Sequence, residues 1–254
     1  MKWTEADISY LKKYYGKKLV VDMTRDLSRS AATITKKASV LKLKSKLPNK
    51  FNKKSCDDNY FAGSSLQSCY WAGFLAADGC IIQSGNHKVL FLGLSVKDEN
   101  HIKLFCRHIN FSGSVYKNKN YRTIKISSDK LCSDLQNKFN LTPRKTKTLK
   151  PPKLTGQKAL AFIIGYIDGD GSIFTTKTNH IGFNVVGTAA MMNWIRNTLN
   201  RQLAADIKTV YKEGSLCKIM LSKNKCLRVL KKLDKVKVSK LSRKWEKLGG
   251  ICAK

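Results

Sequence analysis

The chain has 254 residues, 42% of them hydrophobic, and carries 49 Lys and Arg against 17 Asp and Glu, a formal net charge of +32. That length and apolar content support one large domain or two to three small ones, and so strong a positive field selects polyanions: nucleic acid first, an acidic membrane surface second. No apolar run is long enough to span a bilayer, and residues 1–18 are charged and lack the apolar stretch of a secretory signal.

Taken in chain order, Thr4 followed by Asp7 fits a capped helix start, with an apolar stripe through Ile8 and Leu11 to about Tyr15, stopped by Gly16. A second short helix fits residues 20–27. Ser30 caps a third over 31–43, with Ile34, Ala38 and Leu41 on one face and Thr33, Lys36 and Lys37 on the other. Three short helices ending in a basic third one suit a helix-turn-helix. The stretch resembles the Myb-like units that open on W-T-x-x-[DE], with Trp3 as a core residue. A helical bundle with a solvated basic face is the plainer alternative. The next stretch, through residue 65, is polar, basic and aperiodic, and reads as a linker able to track phosphates.

From residue 66 one pattern occurs twice. Residues 71–81, WAGFLAADGCI, and 163–173, IIGYIDGDGSI, are apolar helices ending in Asp-Gly. After the first come strands at 80–83 and 89–96 around a turn with Gly85 and Asn86, a helix at 98–109, strands at 113–118 and 121–127, and a helix at 130–139. After the second come strands at 172–176 and 181–187, a helix at 189–199, strands at 206–212 and 215–221, and a helix at 224–233. Such recurrence is an internal duplication of an αββαββα unit. Between the copies, residues 141–157 are Lys/Arg-rich and hold three of the four prolines, as a linker across a polyanion would. The expected class is therefore α+β, with a duplicated domain behind a small all-α one. Its boundaries are a helix-turn-helix at 1–46, a basic linker at 47–65, repeats at 66–142 and 157–248, and an interdomain linker at 143–156.

The small residues Gly73 and Ala77, and Gly165 and Gly169, sit at helical spacing of four, which lets two helix backbones approach closely across a pseudo-two-fold axis. Asp78 and Asp170 then end the two helices, each before a glycine expected in the left-handed conformation. A carboxylate there faces the negative end of the helix dipole, at a cost of up to about 1 kcal/mol, and two side by side repel. Plain helix capping is a poor use of Asp at that place. A divalent cation, Mg²⁺ by its preference for hard oxygens, supplies the missing charge. On a basic DNA-binding scaffold that chemistry is phosphodiester hydrolysis.

With these paired motifs the sequence resembles the LAGLIDADG homing endonucleases in their two-repeat, single-chain form, over roughly residues 66–248. The resemblance implies sheets forming a saddle over a long site in double-stranded DNA, a monomeric enzyme with two pseudo-symmetric repeats, and one strand cut per acid to leave 3′ overhangs. It implies Asp78 and Asp170 as catalytic metal ligands, Ala77 and Gly169 beside them at the metal, and Mg²⁺, two or three divalent ions in all. It does not make the earlier acid of the motif a ligand; Ala76 replaces that acid in the first copy and Asp168 keeps it in the second. The family often adds a basic residue in the fourth strand. If Ile124 and Ile126 face the helices, then Thr123, Lys125 and Ser127 face DNA, and Lys125 is the candidate for charge at the cut phosphate. In the second copy Met220 takes the matching place, with Lys218 two residues earlier and Lys223 just after. Gln83 and Thr175, on first strands, are candidates to read bases. Because the halves differ beside the acids, a bias toward one strand is expected. A DNA-binding regulator or an RNA-binding maturase on the same scaffold are the alternatives.

Eight cysteines and four histidines form no C-x-x-C or finger pattern, so zinc is disfavoured, and scattered thiols suit an intracellular reducing compartment.

Overall fold

The computed structural model describes residues 3–18, 20–44, 55–85, 87–176 and 179–252, which fall into two compact units, 1–53 and 54–254. Asn86 and residues 45–54 of the expected linker lie outside the described residues.

The first unit is three helices, α1 (Glu5–Tyr14), α2 (Val20–Leu27) and α3 (Ala31–Val40). Thr4 and Asp7 form the expected capping box, each side chain accepting the other's backbone N–H, at 3.1 and 3.2 Å. Leu11, Met23, Ile34 and Ala38 are the buried centre, and Trp3 packs on its edge. The Arg29 guanidinium bridges outward from that core, stacking 4.4 Å from the Trp3 ring centre and donating to Asp7 at 2.9 Å. The third helix ends sooner than its apolar stripe suggests, because Lys42 turns left-handed (φ 53°).

The second unit repeats one order of elements. The first copy runs α4 (Leu66–Asp78), β1 (Gly79–Ser84), β2 (His87–Ser95), α5 (Glu99–His108), β3 (Tyr116–Lys117), β4 (Tyr121–Ser127) and α6 (Asp129–Phe139). The second runs α7 (Gly156–Asp170), β5 (Gly171–Thr175), β6 (Ile181–Gly187), α8 (Ala189–Leu203), β7 (Tyr211–Glu213), β8 (Leu216–Ser222) and α9 (Lys223–Asp234). Each copy forms a four-stranded antiparallel sheet, ordered β1-β2-β4-β3 and β5-β6-β8-β7. One face of each sheet is core: Leu90, Leu92, Ile124 and Ile126 in the first, Phe183, Val185, Ile219 and Leu221 in the second. By the period of two, the partners between them face away. A helix α10 (Ser242–Cys252) follows, where the sequence pattern suggests no element.

Two of the expected strands are shorter than their sequence pattern. Residues 206–210 leave the sheet because Asn200 clamps the backbone of Ile207, accepting its N–H at 2.8 Å and donating to its carbonyl at 3.0 Å. Residues 113–115 are likewise outside β3, next to Ser112, whose backbone N–H is held by the Ser55 carbonyl at 2.9 Å. Residues 55–65, read as linker, are packed onto this unit: Phe61 is fully buried and meets the Phe139 ring edge-on.

α4 and α7 are apolar on nearly every side and lie against each other at the centre. A methyl on Gly73 would strike the Phe162 carbonyl, and one on Gly165 the Tyr70 carbonyl. A methyl on Gly169 would instead strike the side-chain methyl of Ala77. At Gly73 and Gly165 the spacing of small residues is thus a backbone-to-backbone contact with no room for a side chain. We expect Gly165→Ala to lose about 1–3 kcal/mol or more in urea unfolding, because the obstruction is backbone and cannot swing aside. Gly63→Ala, with open space around it, stays near wild type.

Candidate active site

The helix pair delivers its two acids to one place. A methyl built on Gly169 would lie 3.4 Å from Asp78 Oδ2, so the first copy's carboxylate rests against the residue that precedes Asp170. The chain then passes straight from helix to strand. Gly79 (φ −82°, ψ 159°) and Gly171 (φ −94°, ψ 166°) are extended, not left-handed as expected. Glycine is needed there for space: a Cβ would sit 2.7 Å from the Leu75 carbonyl and 2.5 Å from that of Ile167.

Both carboxylates open to solvent on one side, yet protein crowds them enough to raise their proton affinity. Asp78 is pushed up to about 6, first by loss of water and then by the charge of Asp170, with Lys244 and Lys145 opposing. Asp170 is also raised by burial; Lys145, the Tyr166 hydroxyl and Lys244 pull it back. Tyr166, Lys145, Thr146, Ala76, Ala77 and Asp170 line a cleft of about 180 Å³.

The two lysines were not anticipated. Each comes from the segment that follows the last helix of a copy, and each caps the motif helix of its own copy. Lys145 donates to the Ala77 carbonyl at 3.1 Å. Lys244, 6% exposed, lies within reach of four carbonyls at the end of α7: Ile167 at 3.0, Asp168 at 2.5, Gly169 at 3.2 and Gly171 at 2.6 Å. Three ammonium protons serve four acceptors, so at least one is shared. Cations at a helix C-terminus satisfy its orphan carbonyls and its negative dipole end together. Burial lowers the proton affinity of both lysines while the acids hold it up. The charge pairing crosses the pseudo-two-fold: Lys244 weighs more on Asp78, and Lys145 more on Asp170. Neither lysine carries a motif, and the two stand at no common spacing from their acids: Lys145 follows Asp78 by 145 − 78 = 67 residues and Lys244 follows Asp170 by 244 − 170 = 74.

The other expected site residues are distributed over both units. Thr123 and Lys125 lie on the open face of the first sheet, opposite Gly93 and Phe91, and Lys125 is exposed. Lys218 and Met220 lie on the open face of the second, with Lys218 paired to Glu213 at 3.1 Å. None of these acts on the two acids as Lys145 and Lys244 do. Gln83 and Thr175 share strand parity with the core residues Ile81 and Ile173 and are exposed at the strand ends. The open faces instead present Cys80, Ile82, Ser172 and Asn184. Exposed Tyr116, Tyr121, Tyr211, Ile82 and Met220 all belong to these faces. The Ala77 and Gly169 carbonyls flank the acids and carry the lysine ammoniums. In the first unit, Thr33 and Lys36 are exposed and Lys37 lies 5.8 Å from the Trp3 ring centre.

No protein-family model matches the chain, and no curated sequence does. Solved structures do. The LAGLIDADG meganuclease I-AabMI, bound to uncleaved DNA, superposes with a TM-score of 0.52 at 11% identity, over 72% of this chain and 88% of that one. A variant of I-SmaMI gives 0.53 at 13% identity over 73% and 89%. The LAGLIDADG homing endonuclease I-GzeII, in complex with its DNA target, gives 0.50 at 10% over 74% and 89%. The likeness shows that this chain has the LAGLIDADG fold.

Replacing Lys244 by Met removes this donor from the Asp168 and Gly169 carbonyls at the end of α7, while Ile167 keeps the Gly171 N–H. We expect a loss of about 2–4 kcal/mol in urea unfolding, against little change for Lys231→Met on the exposed face of α9.

Proposed function

We propose that the chain is a site-specific double-strand DNA endonuclease of the LAGLIDADG homing type. The observation that carries this reading is the meeting of Asp78 and Asp170 at the ends of two packed helices, each acid at the head of its own sheet. The open sheet faces carry Lys125, Lys218, Thr123 and exposed tyrosines, a basic and aromatic surface suited to a phosphate backbone and to base edges. The net charge of +32 supplies the long-range attraction.

The donor set fits a hard divalent cation. Both carboxylates hold protons more tightly than usual because burial strips them of water, and the nearby Lys145 and Lys244 offset this only in part. Two protein carboxylates with substrate phosphate and water are the usual holding for Mg²⁺. Asp78 and Asp170 would hold it, with the free lone pairs of the Ala77 and Gly169 carbonyls beside them. Mg²⁺ bound there supplies an activated water and stabilises the leaving oxygen. The chain's own part is to fix the two acids and to set Lys145 where its ammonium can meet the charge that grows on the scissile phosphate. Lys145 is better placed for this than Lys125 by its position in the cleft. One acid per strand gives two cuts and 3′ overhangs. The protein acts as a monomer, because both halves of the centre lie in one chain.

For the first unit we propose a helix-turn-helix that extends the DNA contact, with Thr33, Lys36 and Lys37 of α3 toward the duplex. Replacing Lys36 and Lys37 by Ala is expected to weaken binding with little loss of sequence preference. The slope of log K against log salt should also become shallower, by about one for each phosphate no longer neutralised.

The deciding experiment is cleavage of a randomised duplex library by the purified protein with Mg²⁺, sequencing the cut ends, beside Asp78→Asn and Asp170→Asn. We expect discrete 3′-overhang ends around one long motif, with double-strand cuts lost in each variant. Specific retention of DNA without cuts would make the protein a regulator; retention of structured RNA alone would make it a maturase.

A further inference from the structure

Asp168 belongs to the second acidic motif but does not face the cleft. It is 1% exposed. Its carboxylate accepts three hydrogen bonds: from Tyr70 Oη at 2.8 Å and the Leu241 N–H at 2.8 Å on one oxygen, and from Trp245 Nε1 at 2.7 Å on the other. Tyr70 Oη also lies 2.8 Å from His101 Nε2. The tyrosine has one proton and gives it to the carboxylate, so the imidazole is the donor in that contact. Asp168 thus ties α7 to α4 on one side and to the C-terminal segment on the other.

That segment carries Lys244 between the two residues that Asp168 holds. Other bonds dock it elsewhere: Arg243 donates to Asp98 from Nε at 2.6 Å and Nη2 at 2.8 Å, and the Ser239 N–H reaches Gln67 Oε1 at 3.0 Å. The bonds to Asp168 bracket Lys244 in the chain, one three residues before it and one immediately after it. The first copy has no such device. Ala76 stands at the matching place and offers no acceptor. There Lys145 is half-buried, where Lys244 is buried and meets four carbonyls.

We propose that Asp168 is a positioning residue: by holding Leu241 and Trp245 it fixes Lys244 at the end of α7, on the carbonyl of the same Gly169 against which the Asp78 carboxylate rests, and so supports the strand cut that depends on Asp78. The assignment deepens the endonuclease reading and rests on it for the cleavage arm of its test.

Asp168→Asn keeps the shape but turns one oxygen into an amide N–H₂. If that nitrogen faces Trp245, two donors oppose each other. Trp245→Phe removes the indole donor, so the double variant restores the match, the amide oxygen still accepting from Leu241 and Tyr70. Two readouts apply to wild type, both single variants and the double. The first is acetylation of Lys244 by an amine-reactive reagent, followed by mass spectrometry with exposed Lys231 as reference. The second is cleavage of a duplex labelled on each strand, the Asp78-dependent strand being assigned with Asp78→Asn. We expect Lys244 to react at least ten-fold faster in Asp168→Asn, the Asp78-dependent strand to slow at least ten-fold relative to the other, and both effects to shrink in the double variant. Unchanged protection of Lys244, or equal slowing of both strands without rescue, overturns the proposal. If wild type cuts no duplex, the endonuclease reading fails and the acetylation arm alone decides: faster reaction supports the positioning role, unchanged protection overturns it. If Asp168→Asn does not fold, Trp245→Phe alone is expected to expose Lys244 in part, and no exposure overturns the role.

Discussion

The rest of the molecule depends on one contact, the backbone-to-backbone approach of α4 and α7. Where Gly73 and Gly165 meet the opposing carbonyls no side chain fits, and that closeness brings the last turns of both helices to one spot. Everything chemical follows from it. Two carboxylates come together at the negative ends of two helix dipoles, which is electrostatically unfavourable. The duplicated sheets then extend from that point in opposite halves of the sequence, each beginning at the residue after its acid.

The fold compensates the concentration of negative charge with ammonium groups. Lys145 and Lys244 arrive at the end of each copy and occupy the carbonyls of the motif helices. Their charge pairing crosses from one copy to the other. The two halves therefore share a single centre and are not two independent sites. They are also unequal: the second copy keeps Asp168 and Tyr166 where the first has Ala76 and Phe74. The hydroxyl of Tyr166, which donates to the Val186 carbonyl at 3.2 Å, also lowers the proton affinity of Asp170, and phenylalanine offers Asp78 nothing comparable.

Much of this was legible in the sequence, and the reason is repetition. A helix ending in Asp-Gly, seen twice with the same strands behind it, marks the duplication, the helix contact and the two acids. Alternation of Ile124 and Ile126 with Lys125 gives the open face of the first sheet correctly. What stayed hidden is what local pattern does not encode. The glycines after the acids are extended, and glycine stands there because a Cβ would strike a carbonyl of the preceding helix turn, a steric constraint that mimics a C-cap signal. The end of the expected strand at 206–210 is set by one side chain, Asn200, in the preceding helix. Lys145, Lys244 and α10 carry no motif, so only three-dimensional proximity shows their part. Phe61, the apolar residue in a polar stretch, was a readable sign that residues 55–65 are packed.

The central claim is that the helix pair forces Asp78 and Asp170 into one electrostatic site. The most direct measurement is the titration of Asp78 by carboxylate ¹³C NMR, in the wild-type protein and in Asp170→Asn, without metal or DNA. The account predicts a midpoint near 6 in wild type. It also predicts a lower midpoint in Asp170→Asn, since removing a negative neighbour favours the ionised form. An ordinary carboxylate midpoint in wild type, or one that does not move when Asp170 loses its charge, would contradict it.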